Sequence, residues 1–390
     1  MVNNNLCLVI DASNIKAGGG VTHIYELLNS SNPKKFGFDK VIIWSCYRTL
    51  SKLPQKNWLI PKSHPFLNRG ILLRFIWLIF IKPFVLRKDK CSILFTPGGS
   101  EFSNFKPMVT MSQNLLPFDY HEAKRYGYGL TLFRFLLLRI IQGLTFKKAN
   151  GVIFLTKYAY EKVINEIGRI NGSIAIIPHG IDTKFFFPPT QKKFFSQNDL
   201  QQSLPCKLLY VSVVEIYKHQ WNIVDAVYEL RKNGFNLTLT LVGSRGSGSK
   251  LLNKSIKRLN GDDEWLTILE SQTYEDIQNI YRNADIGIFA SSCETYGQIV
   301  SESLAASLPL ICSSLSAMKE ILGNNACYFH PEKIDEIKDA ILKILISSDL
   351  RKELSFNGYN IAKKLTWQNT ADLTFDFFYQ NYQKFNNKNK

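Results

Sequence analysis

Glu294 and Glu302, with seven residues between them, lie on either side of a strand-to-helix junction. Ile286, Ile288 and Phe289 make a short apolar run. Ser291 to Gly297 read as loop, and Gln298 to Ser307 can form a helix before Pro309 opens a second apolar run, Leu310 to Cys312. In open α/β sheets, a strand end that opens onto a helix N-terminus binds anions, because unpaired amides and the helix dipole both point at the ligand. An anion on the amides of Thr295 to Ile299 would have a carboxylate on either side. A ligand with a diphosphate in the middle and hydroxyl-rich sugars at both ends has that shape. On spacing alone, a solvated loop glutamate and a surface helix glutamate are an equally open reading.

The elements that must position this pair follow a βα alternation. Leu6 to Ile10 is a first strand, ending at Asp11 and a loop with Gly18, Gly19 and Gly20, before a helix from Val21 to Leu28. Glycines at such a turn let amides approach a phosphate or sugar, although a plain tight turn has the same composition. The spacing is not GxGxxG, and no acidic residue ends a second strand, so a dinucleotide fingerprint is absent. Strands follow at Ile93 to Phe95, Val109 to Met111, Gly151 to Leu155 and Ile174 to Ile177. Polar residues at or after their C-terminal ends, among them Asn114, His121 and Arg125, turn that face toward a ligand. The alternation lapses near the middle of the chain and restarts with strands at Leu208 to Val214, Leu237 to Val242 and Leu266 to Leu269. Residues 243–250 (GSRGSGSK) nearly match a phosphate loop, but Ser249 stands where its lysine belongs.

These breaks give an N-terminal domain over residues 1–190, a linker over 191–206 and a second domain over 207–366. An aromatic helix, 367–386, is expected to cross back onto the first domain. Both domains are expected to be α/β. Hydrophobic content of 45% is ample for packed cores in 390 residues. Seven scattered cysteines without a CxxC pair argue against a disulfide framework or zinc site and fit a reducing compartment. The first residues show no basic, apolar leader pattern, and a cytoplasmic location is expected.

The net charge of +16 is unevenly placed: residues 1–190 hold 25 Lys/Arg against 10 Asp/Glu, and residues 191–390 hold 23 against 22. Nucleic acid and an anionic membrane are the two partner classes this implies. Residues 66–86 and 130–146 are apolar but broken by Arg69, Arg74, Lys82, Arg134 and Arg139, and are too interrupted to span a bilayer. They are expected to be mostly buried helices with membrane contact along one edge, the arginines snorkelling. No strand-borne aromatic pattern of a nucleic-acid module accompanies the charge, so no nucleic acid is expected.

Together these residues resemble family 4 of the retaining nucleotide-sugar glycosyltransferases, which have the GT-B fold. Glu294-Thr-Tyr-Gly297 with Glu302 matches the family's Glu–seven–Glu motif, and Ser303 to Pro309 matches its flank. Ile177 to Asp182 resembles the turn ending the N-terminal domain. Tyr210-Val-Ser with Lys218 is similar to the first donor-domain strand and its diphosphate lysine, and Gly18 to Gly20 to the N-terminal glycine loop. The likeness is strong over residues 170–325 and loose over 20–150.

The resemblance implies two Rossmann-like doubly wound domains facing across a cleft. It implies that Lys218 neutralises the donor diphosphate, Glu302 accepts from ribose hydroxyls, and Glu294 with the amides of Thr295, Tyr296, Gly297 and Gln298 holds the sugar. Gly19 and Gly20 would let amides reach the diphosphate. Lys218 and Glu294 are the expected catalytic pair, with no metal or cofactor. The family's arginine before the donor lysine falls here on Val213 or Val214, with Arg245 or Lys319 as possible substitutes. Its acceptor-side histidine falls on Gln113-Asn114, leaving Asn114, His121, Arg125 and His23 as acceptor-side candidates. The implied reaction moves a hexose from a nucleotide sugar to a lipid-linked or saccharide acceptor in bacterial cell-surface glycan synthesis, at the inner membrane face. A GT-B sugar-nucleotide epimerase is the alternative enzyme, and a basic nucleic-acid-binding protein the alternative from another class.

Overall fold

The computed structural model describes residues 6–259, 264–270 and 272–388, which fall into two compact units. The first unit holds the chain up to Phe118, Phe133–Gly180 and the segment from Thr366 onward. The second holds Asp119–Leu132 and Ile181–Leu365.

The first unit is built on seven strands: β1 (Leu6–Asp11), β2 (Phe38–Trp44), β3 (Leu59–Lys62), β4 (Ile93–Thr96), β5 (Met108–Met111), β6 (Gly151–Phe154) and β7 (Ser173–Ile176). They pair in parallel in the order β3-β2-β1-β4-β5-β6-β7. The second unit has six: β8 (Cys206–Val211), β9 (Leu237–Val242), β10 (Leu266–Leu269), β11 (Ile286–Phe289), β12 (Leu310–Ser313) and β13 (Cys327–Phe329). These also pair in parallel, in the order β10-β9-β8-β11-β12-β13. Parallel strands covered on both faces read as continuous apolar runs, which is why β1, β4, β5, β6, β11 and β12 are buried along their whole length. In each sheet the order reverses beside the first strand, between β1 and β4 and between β8 and β11. Ligands of such sheets bind at the strand carboxyl ends of that point.

Two strands have no counterpart in the sequence reading. β3 (LIPK) and β13 (CYF) lie at sheet edges, are short, and carry residues that are not fully buried, so neither leaves a long apolar run. The proline in β3 fits an edge strand, where a missing amide donor is tolerated.

One buried ion cluster ties a helix to the end of β1. Residues Ile71–Ile76, a wide π turn at Trp77–Ile81, and Lys82–Lys88 run on as one helical stretch. In the sequence, Lys82 reads only as a break in an apolar run. Instead it is buried, with Nζ 2.8 Å from Asp11 Oδ2 and 2.6 Å from Glu101 Oε2. Burial pulls its pKa down, and the two carboxylates outweigh that and hold it above its ordinary value. The exposed faces of this helix and of the Leu130–Lys148 helix also depart from expectation. Leu72, Phe80, Phe84, Phe133, Ile140 and Leu144 are all more than half exposed, a far wider apolar surface than one edge. No described helix is long and apolar enough to cross a membrane.

The C-terminal helix, Trp367–Lys388, clusters with the first unit, where the Phe378 ring lies 4.8 Å from Phe95. Its first turn meets the turn after β7: Thr370 Oγ1 donates to Pro178 O at 2.9 Å, and a side chain at Gly180 would collide with Trp367 backbone. His23 belongs here. Its Nδ1 lies 3.0 Å from His179 Nδ1, both rings pack near Trp367, and His23 is 1% exposed. Burial lowers the pKa of His23 to about 4, which keeps it neutral in this packing.

Residues 191–206 pack on the second unit. Lys192 donates to Ala284 O at 2.8 Å, Arg351 donates twice to Phe195 O, and Ser196 with Asp199 forms a capping box on Gln197–Gln201.

Removing one partner of a buried ion cluster strands the rest. Lys82→Ala is expected to destabilise the fold by about 3–5 kcal/mol, read as a lower urea midpoint at unchanged slope.

Candidate active site

The second unit gathers its functional side chains at the C-terminal ends of β8 and β11. β8 leads through a one-turn helix, Ile216–Lys218, to His219, which adopts φ 52°. β11 leads into the Ala290–Gly297 loop and the helix Gln298–Ala305. The two loops are laced together. Ser292 N donates to Tyr217 O at 2.9 Å, His219 Nε2 and Ser292 Oγ are 3.0 Å apart, and the Tyr210 hydroxyl donates to Lys218 O at 2.7 Å. Burial keeps His219 neutral, with a pKa lowered to about 4, and suits it to this structural bond.

This lacing brings Lys218 and Glu294 into a direct ion pair, Nζ to Oε1. The lysine is buried and its ammonium also lies 4.9 Å from the Phe289 ring centroid and 5.2 Å from that of Tyr217. Glu294 is fixed at three more points. Ser291 Oγ donates to Oε1 at 2.8 Å, Glu294 N donates to Ser316 Oγ at 2.7 Å, and Ser316 Oγ lies 3.1 Å from Glu294 O. These bonds hold the Glu294 carboxylate rigidly in place. Thr295 and Tyr296 are buried beside it. Gly297 caps the following helix at φ 88°, a left-handed conformation that favours glycine. Gln298 begins the helix directly after that loop.

Glu302 lies inside that helix, half-buried, and accepts from the Tyr281 hydroxyl at 3.2 Å. Burial raises its pKa to about 7, the Tyr281 bond opposes the rise, and Asp182 adds to it. A carboxylate poised near neutrality and already paired with one hydroxyl suits recognition of further hydroxyls.

The other expected residues fall elsewhere. Arg125 lies on the Asp119–Leu132 segment and is engaged by two carboxylates: Nε is 3.1 Å from Glu122 and Nη1 2.5 Å from Glu332. It therefore pins that segment to the rest of the second unit. His121, on the short helix Tyr120–Lys124 that Arg125 follows, is exposed with Nδ1 3.6 Å from Glu122. Tyr126, unnoticed in the sequence, donates to Glu215 Oε2 at 3.0 Å in the Lys218 loop. Of the substitutes for the missing arginine, Arg245 pairs with Glu270 on the surface and Lys319 Nζ lies 5.8 Å from the Tyr328 ring. Neither contacts Lys218 or Glu294.

Gly19, Gly20 and Asn114 belong to the first unit. Gly18, at φ 68°, takes the strained position, Gly19 is exposed, and Gly20 lies against Ile15 and Gln113. Gly20 and Asn114 line a cavity of 760 Å³ at the carboxyl ends of β1, β4 and β5. Arg74 and Arg134, read from sequence as snorkelling charges, line it with Phe75, Leu78, Leu138 and Ile141. Arg74 Nε is a buried donor without a hydrogen-bond partner among the described residues. The glycine loop, Asn114 at a strand end and arginines recurring in apolar helices were the sequence signals for this cavity.

Residues 191–361 match the family described as Glycosyl transferases group 1. The match makes this part of the chain similar to a glycosyltransferase domain. O-antigen chain mannosyltransferase B of Escherichia coli is 24% identical over 172 residues, 44% of this chain and 45% of that protein. Alpha-monoglucosyldiacylglycerol synthase of Acholeplasma laidlawii is 24% identical over 355 residues, 85% of this chain and 86% of that protein. The chain spans about half the length of the first curated relatives it matches. Among solved structures, sucrose-phosphate synthase from Thermosynechococcus elongatus superposes with a TM-score of 0.75 at 16% identity, over 97% of this chain and 100% of that one. The fold is GT-B, and Lys218, Glu294 and Glu302 all lie within the residues that match that family.

Because Glu302 binds its proton more tightly folded than unfolded, the native state takes up a proton between about pH 4.5 and 7. Stability from this group is present below pH 4.5 and is lost as pH rises through 7. Glu302→Gln is therefore expected to melt a few degrees higher than wild type at pH 8, with the difference shrinking toward pH 5, in paired thermal scans.

Proposed function

We propose that the protein is a retaining hexosyltransferase that moves a sugar from a nucleoside diphosphate sugar to an amphipathic, phosphate-bearing acceptor in cell-surface glycan synthesis. The observation that carries this reading is the Lys218–Glu294 ion pair beside the amides of the Gln298–Ala305 helix. A diphosphate attracted to those amides competes with Glu294 for the Lys218 ammonium. Once the lysine turns to the diphosphate, the Glu294 carboxylate accepts from sugar hydroxyls. Glu302, with its Tyr281 partner, accepts from the ribose hydroxyls.

The reaction breaks the bond from the anomeric carbon to the diphosphate oxygen. The electron pair leaves with the diphosphate, whose growing charge meets Lys218 and the helix amides. The acceptor hydroxyl attacks from the face being vacated, and its proton passes to the departing phosphate oxygen. This front-side course retains anomeric configuration and does not require Glu294 to become a covalent nucleophile. The charge is met by residues of the chain itself, and no metal or cofactor is invoked.

The acceptor reading rests on the first unit. Its cavity is within the usual size for a ligand pocket and combines two arginines with aliphatic and aromatic walls. Guanidinium groups favour a phosphate, and the apolar walls favour a hydrocarbon segment. The exposed apolar helices beside it, in the more basic half of the chain, suit the surface of an anionic membrane at its cytoplasmic face. An O-antigen mannosyltransferase and a monoglucosyldiacylglycerol synthase among the relatives fit a polysaccharide or lipid-linked acceptor.

Nucleotide release from a panel of nucleoside diphosphate sugars, measured with extracted membranes as acceptor, tests the site. Lys218→Ala and Glu294→Ala are each expected to lower turnover by about 10²–10³. Activity equal to wild type in both variants contradicts the assignment.

A further inference from the structure

A second cavity of the first unit, 380 Å³ in volume, opens near the N-terminal ends of β5, β6 and β7, away from the strand ends that carry the arginine-lined cavity. Five lysines line it: Lys106, Lys147, Lys148, Lys384 and Lys388. No aspartate or glutamate lines it, and none of the five forms an ion pair among the described residues. Lys384 Nζ instead donates to the Ser173 hydroxyl at 3.2 Å. Five ammonium groups around one small volume repel one another, and an anion between them relieves that repulsion. Asn381, 2% exposed, also lines the cavity, and its Oδ1 is a buried acceptor without a hydrogen-bond partner among the described residues. The site therefore offers charge for a phosphate and an acceptor for a hydroxyl.

The neighbouring surface indicates the source of that phosphate. On the Leu130–Lys148 helix, Leu130, Phe133, Leu137, Ile140 and Leu144 recur at spacings of three and four and are all exposed. That spacing places them on one helix face, and the next residue of the series is Lys147. An apolar stripe thus ends at the lysine cavity, which is the order of groups an amphipathic helix meets between acyl chains and headgroups.

We propose that the cavity is a headgroup site for an anionic phospholipid, in which the lysines hold the phosphodiester and Asn381 accepts from a headgroup hydroxyl. The site rests on the membrane-facing part of the proposed function but takes no part in sugar transfer. It anchors the first unit by a bound lipid as well as by the apolar stripe.

The test is flotation of the full chain with vesicles of phosphatidylcholine alone or with one third phosphatidylglycerol, at 0.1 M salt. Wild type is expected to bind the anionic vesicles at least about tenfold more tightly. The triple variant Lys147→Gln, Lys148→Gln, Lys384→Gln is expected to lose that preference, since each lysine near an anionic surface contributes severalfold. Phe133→Ser with Ile140→Ser is expected to weaken binding to both vesicle types. Nucleotide release in detergent solution should stay at the wild-type level in the lysine variant, which separates failure of this site from failure of the proposed function. Unchanged preference for anionic vesicles in the triple variant overturns the proposal. So does thermal stabilisation by millimolar inorganic phosphate that vanishes in the triple variant while vesicle binding is unaffected, because the cavity then serves a soluble phosphate.

Discussion

The pairing of Lys218 with Glu294 depends on two loops from distant parts of the chain arriving at one point. β8 and β11 are neighbours in that sheet, so their carboxyl ends lie side by side. The left-handed turn at His219 and the positive φ of Gly297 then aim the two loops at each other. Bonds among Tyr210, Tyr217, His219, Ser291, Ser292 and Ser316 hold them there. A half-buried pair of opposite charges at a helix N-terminus is poised for exchange. The carboxylate keeps the ammonium satisfied, and a phosphate with amide donors behind it can offer the lysine a stronger partner.

The first unit solves a different problem with the same kind of sheet. Its helical stretch from Ile71 to Lys88 shows much apolar surface to solvent, and such a helix needs an anchor on its inner side. Lys82, set between Asp11 and Glu101, supplies it, with Trp77 buried one turn away. The same helical stretch contributes Arg74 to the 760 Å³ cavity, so its outer face and its cavity face are fixed by one ion cluster. The C-terminal helix completes the unit by covering β5 and β6, and the bare backbone of Gly151 allows Phe377 and Asn381 to approach.

Much of this was legible in the chain itself. The strands at β8, β9, β10 and β11 and the helices at Lys157–Ile167 and Tyr274–Asn283 follow from continuous apolar runs and helical spacing. The Glu294 and Glu302 spacing pointed to the junction, because strand, loop and helix there are contiguous. Contacts between distant residues were not legible. His23 looked like a ligand-facing histidine on a helix near a glycine loop, and only folding places it against His179 and Trp367. Arg125 looked free until Glu332, far along the chain, came within reach. Lys82 and Arg74 both interrupt apolar helices, and sequence spacing alone did not tell which one turns to a buried carboxylate and which to a cavity. The edge strands β3 and β13 escaped notice because edge positions impose no apolar run.

The central claim is that Lys218 exchanges Glu294 for the donor diphosphate, and calorimetric titration of a nucleoside diphosphate tests it directly. Glu294→Gln removes the competing carboxylate, so the account predicts tighter binding than wild type by about threefold or more, a gain that disappears when Lys218→Met is added. Equal or weaker binding by Glu294→Gln, or a gain that persists without Lys218, would contradict the exchange.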